Sequence, residues 1–480
     1  MKEYLKHHAW NPEVKDALNK LIAEYGKDSE SYDPSVYVVS DSDNTISVFD
    51  VEHQLAVYQL QVMAFAFSPA QIEKILFSGL SDIQKKRTGC TKDGLGHSYQ
   101  EWMEDIRNAY TYLYRKYGPF TPEGFSESEA SEIHKDPQWM EFAAKMRAMY
   151  TLVTKEEDGG ISCPWLLAWF SGMTEQEVYD LAYKSHKYYS ELETSKETWT
   201  SPENIPSCLG VTEAEWICGI QVTDNIRELF RELHDNGIAV WVCSASGTDP
   251  IRAAIDCFGL HPYIEGMMAM TMASENGIYT EKYDFDHGYA WLALKDGSWM
   301  KDQAAAHVQT QGQGKVTAVE NVIVPKKGHG PVAGFGDSSG DFAFCTQFSS
   351  MKTAVIFNRA DRSVSDGGGL LAELAVYQKD ILDYDLYKAE KAGDILYVLQ
   401  GRDENGSRTL LPERKTRRLG SRELKLFKNS ENETELEYMK NHHLSCKEIL
   451  SAFSLITPAG AQFDFSFGFL NEEPAVQSRK

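Results

Sequence analysis

Val36-Tyr37-Val38-Val39-Ser40-Asp41-Ser42-Asp43-Asn44-Thr45 is the stretch on which the fold turns. The apolar, β-branched run predicts a buried strand, and it ends in two carboxylates one residue apart. Side chains alternate along an extended backbone, so residues two apart share a face. Asp41 and Asp43 are therefore expected to converge at the carboxyl end of that strand. Two carboxylates so close repel, and a bound cation, a shared proton or both must offset the repulsion. An Asp/Asn-rich turn after a strand has the same composition and no chemistry. The segment needs partners elsewhere in the chain.

Three later segments supply them. Ile238-Ala239-Val240-Trp241-Val242-Cys243 predicts a second apolar strand, ending in Ser244-Ala245-Ser246. Gly314-Lys315-Val316-Thr317-Ala318-Val319 sets a lysine at the start of a periodic, helical stretch. Pro331-Val332-Ala333-Gly334-Phe335 predicts a third strand, followed by Gly336-Asp337-Ser338-Ser339-Gly340-Asp341. Lys301 and the pair Lys326-Lys327 are alternatives for the lysine. Lys315 is preferred because about 22 residues separate it from the Gly-Asp turn, room for one helix and a link.

Taken in order, these segments resemble the haloacid dehalogenase superfamily of phosphohydrolases, whose pattern is DxDxT, a strand-end Ser/Thr, Lys and GDxxxD. The resemblance implies phosphoryl transfer to an aspartate followed by hydrolysis. Asp41 would be the nucleophile. Asp43 would protonate the leaving oxygen and then activate water. Thr45 would hold Asp43 or its loop, and Ser244 and Lys315 would bind the phosphoryl oxygens. The Asp41 carboxylate, the Asp43 backbone carbonyl and Asp337 would hold Mg²⁺, and Asp341 would bond a metal-bound water or Lys315. Mg²⁺ takes oxygen ligands and keeps several waters, which suits so few protein ligands.

Composition narrows the partners. The 480 residues are long for one domain, and 42% hydrophobic content is ample for sizeable cores. A net charge of −23 argues against nucleic acid and anionic membrane surfaces as partners. No apolar run is long enough to span a bilayer. Met1–His8 has no apolar leader core. That places the chain in the cytoplasm if Met1 is its native start, and outside if a signal peptide has been removed. The eight cysteines show no CxxC pair or zinc spacing, so free thiols are expected.

The pattern predicts an α/β fold, a doubly wound parallel sheet with a Rossmann-like core formed by residues 1–46 and 226–405. Strand-helix-strand units with short links require right-handed parallel crossovers, and the site then lies at the carboxyl ends of the strands. Val14, Leu18, Leu21, Ile22 and Tyr25 mark one face of a helix before the first strand. Residues 47–225 read as a large helical cap inserted after that strand. Ser365–Gly369 reads as a flexible turn after the last core strand, Thr353–Phe357. Residues 406–480 form an extension without an assigned role, and the basic run Arg414–Arg418 reads as a solvated loop.

The size of the insertion bears on the substrate. About 200 residues separate the first aspartate motif from Ser244, against about 70 from Ser244 to Lys315. Within the superfamily this resembles the phosphoserine phosphatase type of cap, which excludes water and reads the leaving group. Asp50 falls where that type carries a substrate-binding glutamate, although here it is Asp. Asp50 and Glu52 would equally serve as helix N-terminal acids. Ala9-Trp10-Asn11-Pro12, Cys163-Pro164-Trp165, Phe170–Thr174, Val242–Ser246 and Leu399–Glu404 together resemble phosphorylcholine phosphatases, in patches over most of residues 9–405. A quaternary ammonium is bound by aromatic faces and carboxylates. Tyr150, Trp165, Trp169, Tyr188, Tyr189, Glu52 and Glu156 could supply both, though Trp165 and Trp169 at helical spacing equally suit a core. The expected substrate is a small phosphate ester, phosphorylcholine foremost, with phosphoserine or phosphoethanolamine as alternatives. The contrasting expectation is a catalytically silent binding protein that keeps the fold.

Overall fold

The computed structural model describes residues 2–360, 367–406, 408–426, 441 and 444–456, the last five without side chains. The chain is α/β with a mostly parallel central sheet. In chain order its strands are β1 (Tyr37–Ser40), β2 (Ala239–Gly247), β3 (Gly266–Glu275), β4 (Ile278–Asp284), β5 (Gly288–Ala293), β6 (Trp299–His307), β7 (Ala333–Gly336), β8 (Thr353–Phe357) and β9 (Leu396–Gln400). The spatial order is β6-β5-β3-β2-β1-β7-β8-β9, with β4 paired to β3. From β3 through β9 along this order the strands are parallel, whereas β4, β5 and β6 add an antiparallel edge. β1 sits in the middle, with Ser40 opposite Val242 on one side and Phe335 on the other.

Both faces of the sheet are covered, which is why its strands are apolar throughout. Val38, Val240, Phe335, Val355 and Val398 face the helices Pro12–Tyr25 and Asp224–Asp235. Tyr37, Val39, Trp241, Ala354 and Ile356 face Gln313–Val322 and Gly367–Asp380. Alternate residues of each strand thus feed two separate cores. The first helix buries the predicted stripe Val14, Leu18, Leu21 and Ile22, and Asn11 caps it by accepting from the Glu13 N–H.

Two expectations fail near the end of the sheet. Thr353–Phe357 is not the last strand, because β9 pairs with it over its whole length. Gly367–Gly369, read as a flexible turn, begin the buried helix Gly367–Asp380. A Cβ on Gly367 would lie 2.9 Å from the Phe342 Cβ, so close packing explains that glycine. Ser365 and Asp366 lie outside the described residues.

Residues 47–225 carry most of the remaining helices, including Val51–Val62, Tyr99–Tyr117, Pro137–Glu156 and Glu175–Ser190. They also hold two antiparallel pairs, Lys86–Thr88 with Gly96–Ser98 and Ser195–Thr200 with Glu213–Cys218. Ser47–Val48 pairs with Gln221–Val222, so the chain is pinned to itself where it leaves and rejoins the core. Beyond β9, short strands at Arg402–Asp403, Thr409–Leu410, Thr416–Arg417 and Leu424–Lys425 form a small sheet. Among the described residues, no helix is long and apolar enough to cross a membrane.

His186 ties the insertion to the core. It lies on Glu175–Ser190 and is buried against Thr248–Cys257, where its Nε2 donates to the Pro250 carbonyl at 3.0 Å. Burial pushes its pKa down to about 4, although the Pro250 carbonyl favours the charged ring. The folded value is depressed, so the stabilisation is present above the unfolded value near 6.5 and is lost as pH falls toward 4. The difference is about 3 kcal/mol. Urea unfolding at pH 7 and pH 4 should show the wild type losing about 3 kcal/mol more than His186→Gln. Equal losses would remove His186 as the acid-sensitive contact.

Candidate active site

The predicted residues gather at the carboxyl ends of β1, β2 and β7. Asp41 follows Ser40, and its N–H continues the ladder to the Phe335 carbonyl at 2.9 Å. Asp337 follows Gly336, whose Cα closely approaches Asp341: a Cβ there would lie 2.5 Å from the Asp341 Cβ. Ser244 and Ser246 lie in the end of β2, where pairing with β3 breaks register between Cys243 and Gly247. That irregularity frees both serines from the ladder and turns them toward the site. A cavity of about 380 Å³ is lined by Asp41, Asp43, Ser244, Lys315 and Asp337, with Asp50, Glu52 and Tyr150 from the insertion.

Lys315 is at the centre. Its helix Gln313–Val322 aims the ammonium between two carboxylates, with Nζ donating to Asp41 Oδ1 and Asp341 Oδ1 at 2.6 Å each. Lys315 is 2% exposed, so this is a buried ion triad. Burial opposes the charge on Lys315, but Asp341 and Asp41 outweigh it and hold the ammonium above its usual range. Burial drives the Asp41 carboxyl well above its ordinary range, the nearby Asp341 charge adds to this, and Lys315 opposes it. Asp341 is saturated on its other oxygen, where Oδ2 accepts from the N–H groups of Asp337 and Ser338 and from the Ser338 hydroxyl.

Asp43 reaches the cavity differently from the alternation argument. The strand ends at Ser40, and Asp43 begins a turn in which Asn44 adopts a left-handed φ of 61°. Its Oδ1 accepts from the Val51 N–H at 2.7 Å and its Oδ2 from the Ser246 hydroxyl at 2.7 Å. The carboxylates crowding Asp41 are Asp337 and Asp341: one oxygen from each of the three lies within 4.8 Å of the others. Burial pushes the Asp43 carboxyl up as well, with Asp50 adding to it and Ser246 and the Val51 N–H opposing it. Thr45 bonds Asp337 Oδ1 at 3.4 Å rather than Asp43.

The buried oxygen cluster suits a hard divalent cation. The donors are all carboxylates, with no thiolate or imidazole among them, which selects against softer metals. Asp41, Asp337 and Asp341 are the side chains that could hold such a cation. The Asp41 charge, strongly disfavoured by burial, is what such a cation would stabilise.

The substrate-side expectations separate. Asp50 and Glu52 line the cavity. Asp50 is the N-cap of Val51–Val62, accepting from the His53 N–H at 2.8 Å. Glu52 is buried, with Oε2 accepting from the Gly247 N–H at 2.8 Å and Oε1 without a hydrogen-bond partner. Burial pushes its carboxyl well above the usual range, and the Asp50 charge adds to that. Trp165 lies behind the cavity wall. It is fully buried, donates to the Leu76 carbonyl at 2.9 Å and stacks on Tyr150, so it packs a core. Glu156 is not part of the lining and faces Arg87 at 3.6 Å.

Sequence reasoning missed Ser246, Arg359 and Arg402. Ser246 stood one alternation step beyond Ser244 and was readable as a partner. The arginines gave no local signal. Arg359 Nη1 donates to Asp337 Oδ2 at 3.1 Å. Arg402, 1% exposed, donates to the Asn44 carbonyl at 2.8 Å and Asn44 Oδ1 at 3.0 Å, and it pairs with buried Glu404 at 2.7 Å. Arg418 donates to Glu404 Oε1 at 3.2 Å and to the Arg359 carbonyl at 3.1 Å. The basic run read as a solvated loop therefore includes a strut of the site. The chain from Asn44 through Arg402, Glu404, Arg418 and Arg359 to Asp337 ties both acidic loops to the small sheet after β9.

No family model and no curated protein matches the sequence. Among solved structures the chain is similar to a conserved functionally unknown protein from Anaerococcus prevotii DSM 20548. The identity is 25%, the coverage 87% of this chain and 99% of that one, and the TM-score 0.68. It is also similar to a protein with unknown function from Bordetella pertussis Tohama I, at 11% identity over 67% and 89% of the two chains, with a TM-score of 0.33. A third match is cytosolic 5'-nucleotidase IIIB bound to cytidine, at 16% identity over 79% and 86%, with a TM-score of 0.29. The Anaerococcus protein shares the fold across nearly its whole length.

Removing one partner of a buried ion pair strands the other charge. Arg402→Met should cost about 3–5 kcal/mol in denaturant unfolding. Arg402→Met with Glu404→Met should recover part of that loss. A single variant as stable as the wild type would show that the Asn44 loop does not depend on Arg402.

Proposed function

We propose that the chain is a Mg²⁺-dependent phosphomonoesterase that works through an aspartyl-phosphate on Asp41, with residues 47–225 as the cap over the site. The observation that carries this reading is the Lys315 ammonium held between Asp41 and Asp341 beside Asp337, at the carboxyl ends of parallel strands. Lys315 fixes Asp41 Oδ1 and leaves Oδ2 to attack phosphorus. The P–O bond to the leaving group breaks as the new bond to Asp41 forms, and Asp43 gives its proton to the departing oxygen. Water then attacks phosphorus while Asp43 takes back a proton, which releases inorganic phosphate and the Asp41 carboxylate. Ser244 and Lys315 donate to the phosphoryl oxygens. Magnesium, held by Asp41, Asp337 and the Asp43 carbonyl, would supply charge neutralisation for the phosphoryl group. The raised pKa of Asp43 suits it to the acid role, because it keeps the proton to higher pH.

A cationic leaving group, phosphorylcholine in particular, is favoured by Glu52. Its unpartnered buried oxygen and the neighbouring Asp50 would gain from an ammonium, and Tyr150 offers an aromatic face. The wider cage expected from Trp165 is absent from the lining. Phosphoethanolamine and phosphoserine fit the same carboxylates.

With an aryl phosphate as substrate, Asp41→Asn should lose on the order of 10⁴-fold in kcat or more. Chelation of Mg²⁺ should abolish turnover, and Mg²⁺ should restore it. Turnover that survives both treatments would sink the reading. Among esters, phosphorylcholine should exceed neutral glycerol phosphate in kcat/KM, and Glu52→Gln should erase the advantage. Equal rates for the two esters would dismiss the cationic leaving group.

A further inference from the structure

A second cavity adjoins the active-site cavity. Asn44, Asp50, His53 and Arg359 belong to both linings, and the second cavity has a volume of about 340 Å³. Its wall carries Arg147, Lys196, Arg359 and Arg418 against the carboxylates Asp50 and Glu215. In a chain of net charge −23, this is a local cationic excess beside the reacting centre.

The three guanidiniums come from separate parts of the chain. Arg147 lies on the helix Pro137–Glu156 of the insertion, Arg359 follows β8, and Arg418 follows the strand Thr416–Arg417. Arg359 and Arg418 are fixed, the first by Asp337 and the second by Glu404 and the Arg359 carbonyl. Arg147 is half-buried and differs from the others. Its Nη1 donates to the Thr151 hydroxyl at 2.9 Å, its Nε is buried without a hydrogen-bond partner, and it makes no ion pair among the described residues. Burial pulls the Arg147 pKa down, and Tyr150, Cys90 and Asp50 offset this only in part. Arg147 and Arg359 both act on His53, whose pKa burial lowers, Asp50 opposes and these two charges lower further. The two guanidiniums therefore border the same stretch of wall. A partly desolvated guanidinium that has only the Tyr150 ring and the more distant Asp50 for compensation would gain from an anion that completes it.

We propose that this second cavity is a subsite for an anionic group, a carboxylate or a second phosphate, carried on the leaving-group side of the substrate. The proposal rests on the phosphomonoesterase reading. It concerns the far end of the leaving group, and an ammonium beside Glu52 would be compatible with it. Planar guanidiniums suit both anions because they bond two oxygens at once.

The test compares, with Mg²⁺ present, propanediol monophosphate, phosphoglycerate and propanediol bisphosphate, with p-nitrophenyl phosphate as a reference for turnover itself. One or both anionic esters should exceed the neutral monophosphate in kcat/KM by about 10-fold or more, and which one does so identifies the anion. Arg147→Met should reduce that ratio by about 10-fold, Arg147→Lys should keep most of it, and Lys196→Met on the exposed hairpin should reduce it less. An anionic-to-neutral ratio of one or below, or a ratio unmoved in Arg147→Met, overturns the proposal. If the wild type hydrolyses none of the esters, p-nitrophenyl phosphate included, the phosphomonoesterase reading fails separately. Equilibrium dialysis of phosphoglycerate then decides the subsite: binding lost in Arg147→Met supports it, and equal binding in both proteins overturns it.

Discussion

Three carboxylates buried together require compensating charge, and the arrangement of the core follows from that requirement. Asp41, Asp337 and Asp341 leave β1 and β7 at adjacent points because those strands are parallel and in register. Parallel neighbours put their carboxyl ends side by side, so the acids crowd where an antiparallel pairing would separate them. Lys315 answers the crowding from one side and Arg359 from another. Their source elements differ: a helix under the sheet for Lys315, the loop after β8 for Arg359. A buried ion pair often adds little stability over well-packed apolar groups of similar volume, so cohesion is a weak reason for its presence. The remaining deficit at Asp41 is the physical basis for expecting a metal.

How much of this was legible depends on how far each signal travels along the chain. Strands β1, β2 and β7 and the acidic and basic residues Asp41, Asp43, Lys315, Asp337 and Asp341 were legible because each rests on local periodicity that meets an unusual residue at a strand end or helix start, whereas β9 and the antiparallel edge β4–β6 were not read. The alternation argument for Asp41 and Asp43 reached the right cavity by the wrong geometry. Extended backbone through residue 43 was expected, whereas the strand ends at Ser40, a turn begins at Asp43 and Asn44 takes a left-handed conformation. Asp43 consequently finds Ser246 and the Val51 N–H as partners, and the repulsion at Asp41 comes from across the sheet. Trp165 and Trp169 show the opposite limit. Aromatic residues at regular spacing signal burial, and only packing decides whether the burial is in a core or in a cavity wall.

The arginines were illegible for a different reason. Arg402 and Asn44 are 358 positions apart, and no pattern near either one points to the other. The segment after β9 looked like an appendage, yet its short strands place Arg402, Glu404 and Arg418 against both acidic loops. Short strands with few apolar residues carry weak periodicity, so a small sheet held by charge is the element that sequence patterning reads worst.

These struts also separate two duties that share one opening. Asp41 and Ser244 stand at the ends of sheet strands, and Lys315 on the helix Gln313–Val322 packed against the sheet, so none can shift without disturbing an apolar core. Asp50, Glu52, Tyr150 and Arg147 stand on helices of the insertion, joined to the core at the Ser47–Val48 and Gln221–Val222 pair and through packing such as that of His186 on Pro250. Groups that bind the transferring phosphoryl must keep their spacing for any substrate. On the proposed reading, groups on the leaving side would need to make their contacts only with a ligand bound, so they could stand on a separate part of the chain. Val51–Val62 crosses the division: its first turn gives an N–H to Asp43 while Glu52, one residue on, receives the Gly247 N–H from the end of β2. A displacement of that helix would move Asp43's partner and Glu52 together. On the proposed reading, proton delivery by Asp43 would then depend on the position of the same helix that carries Glu52.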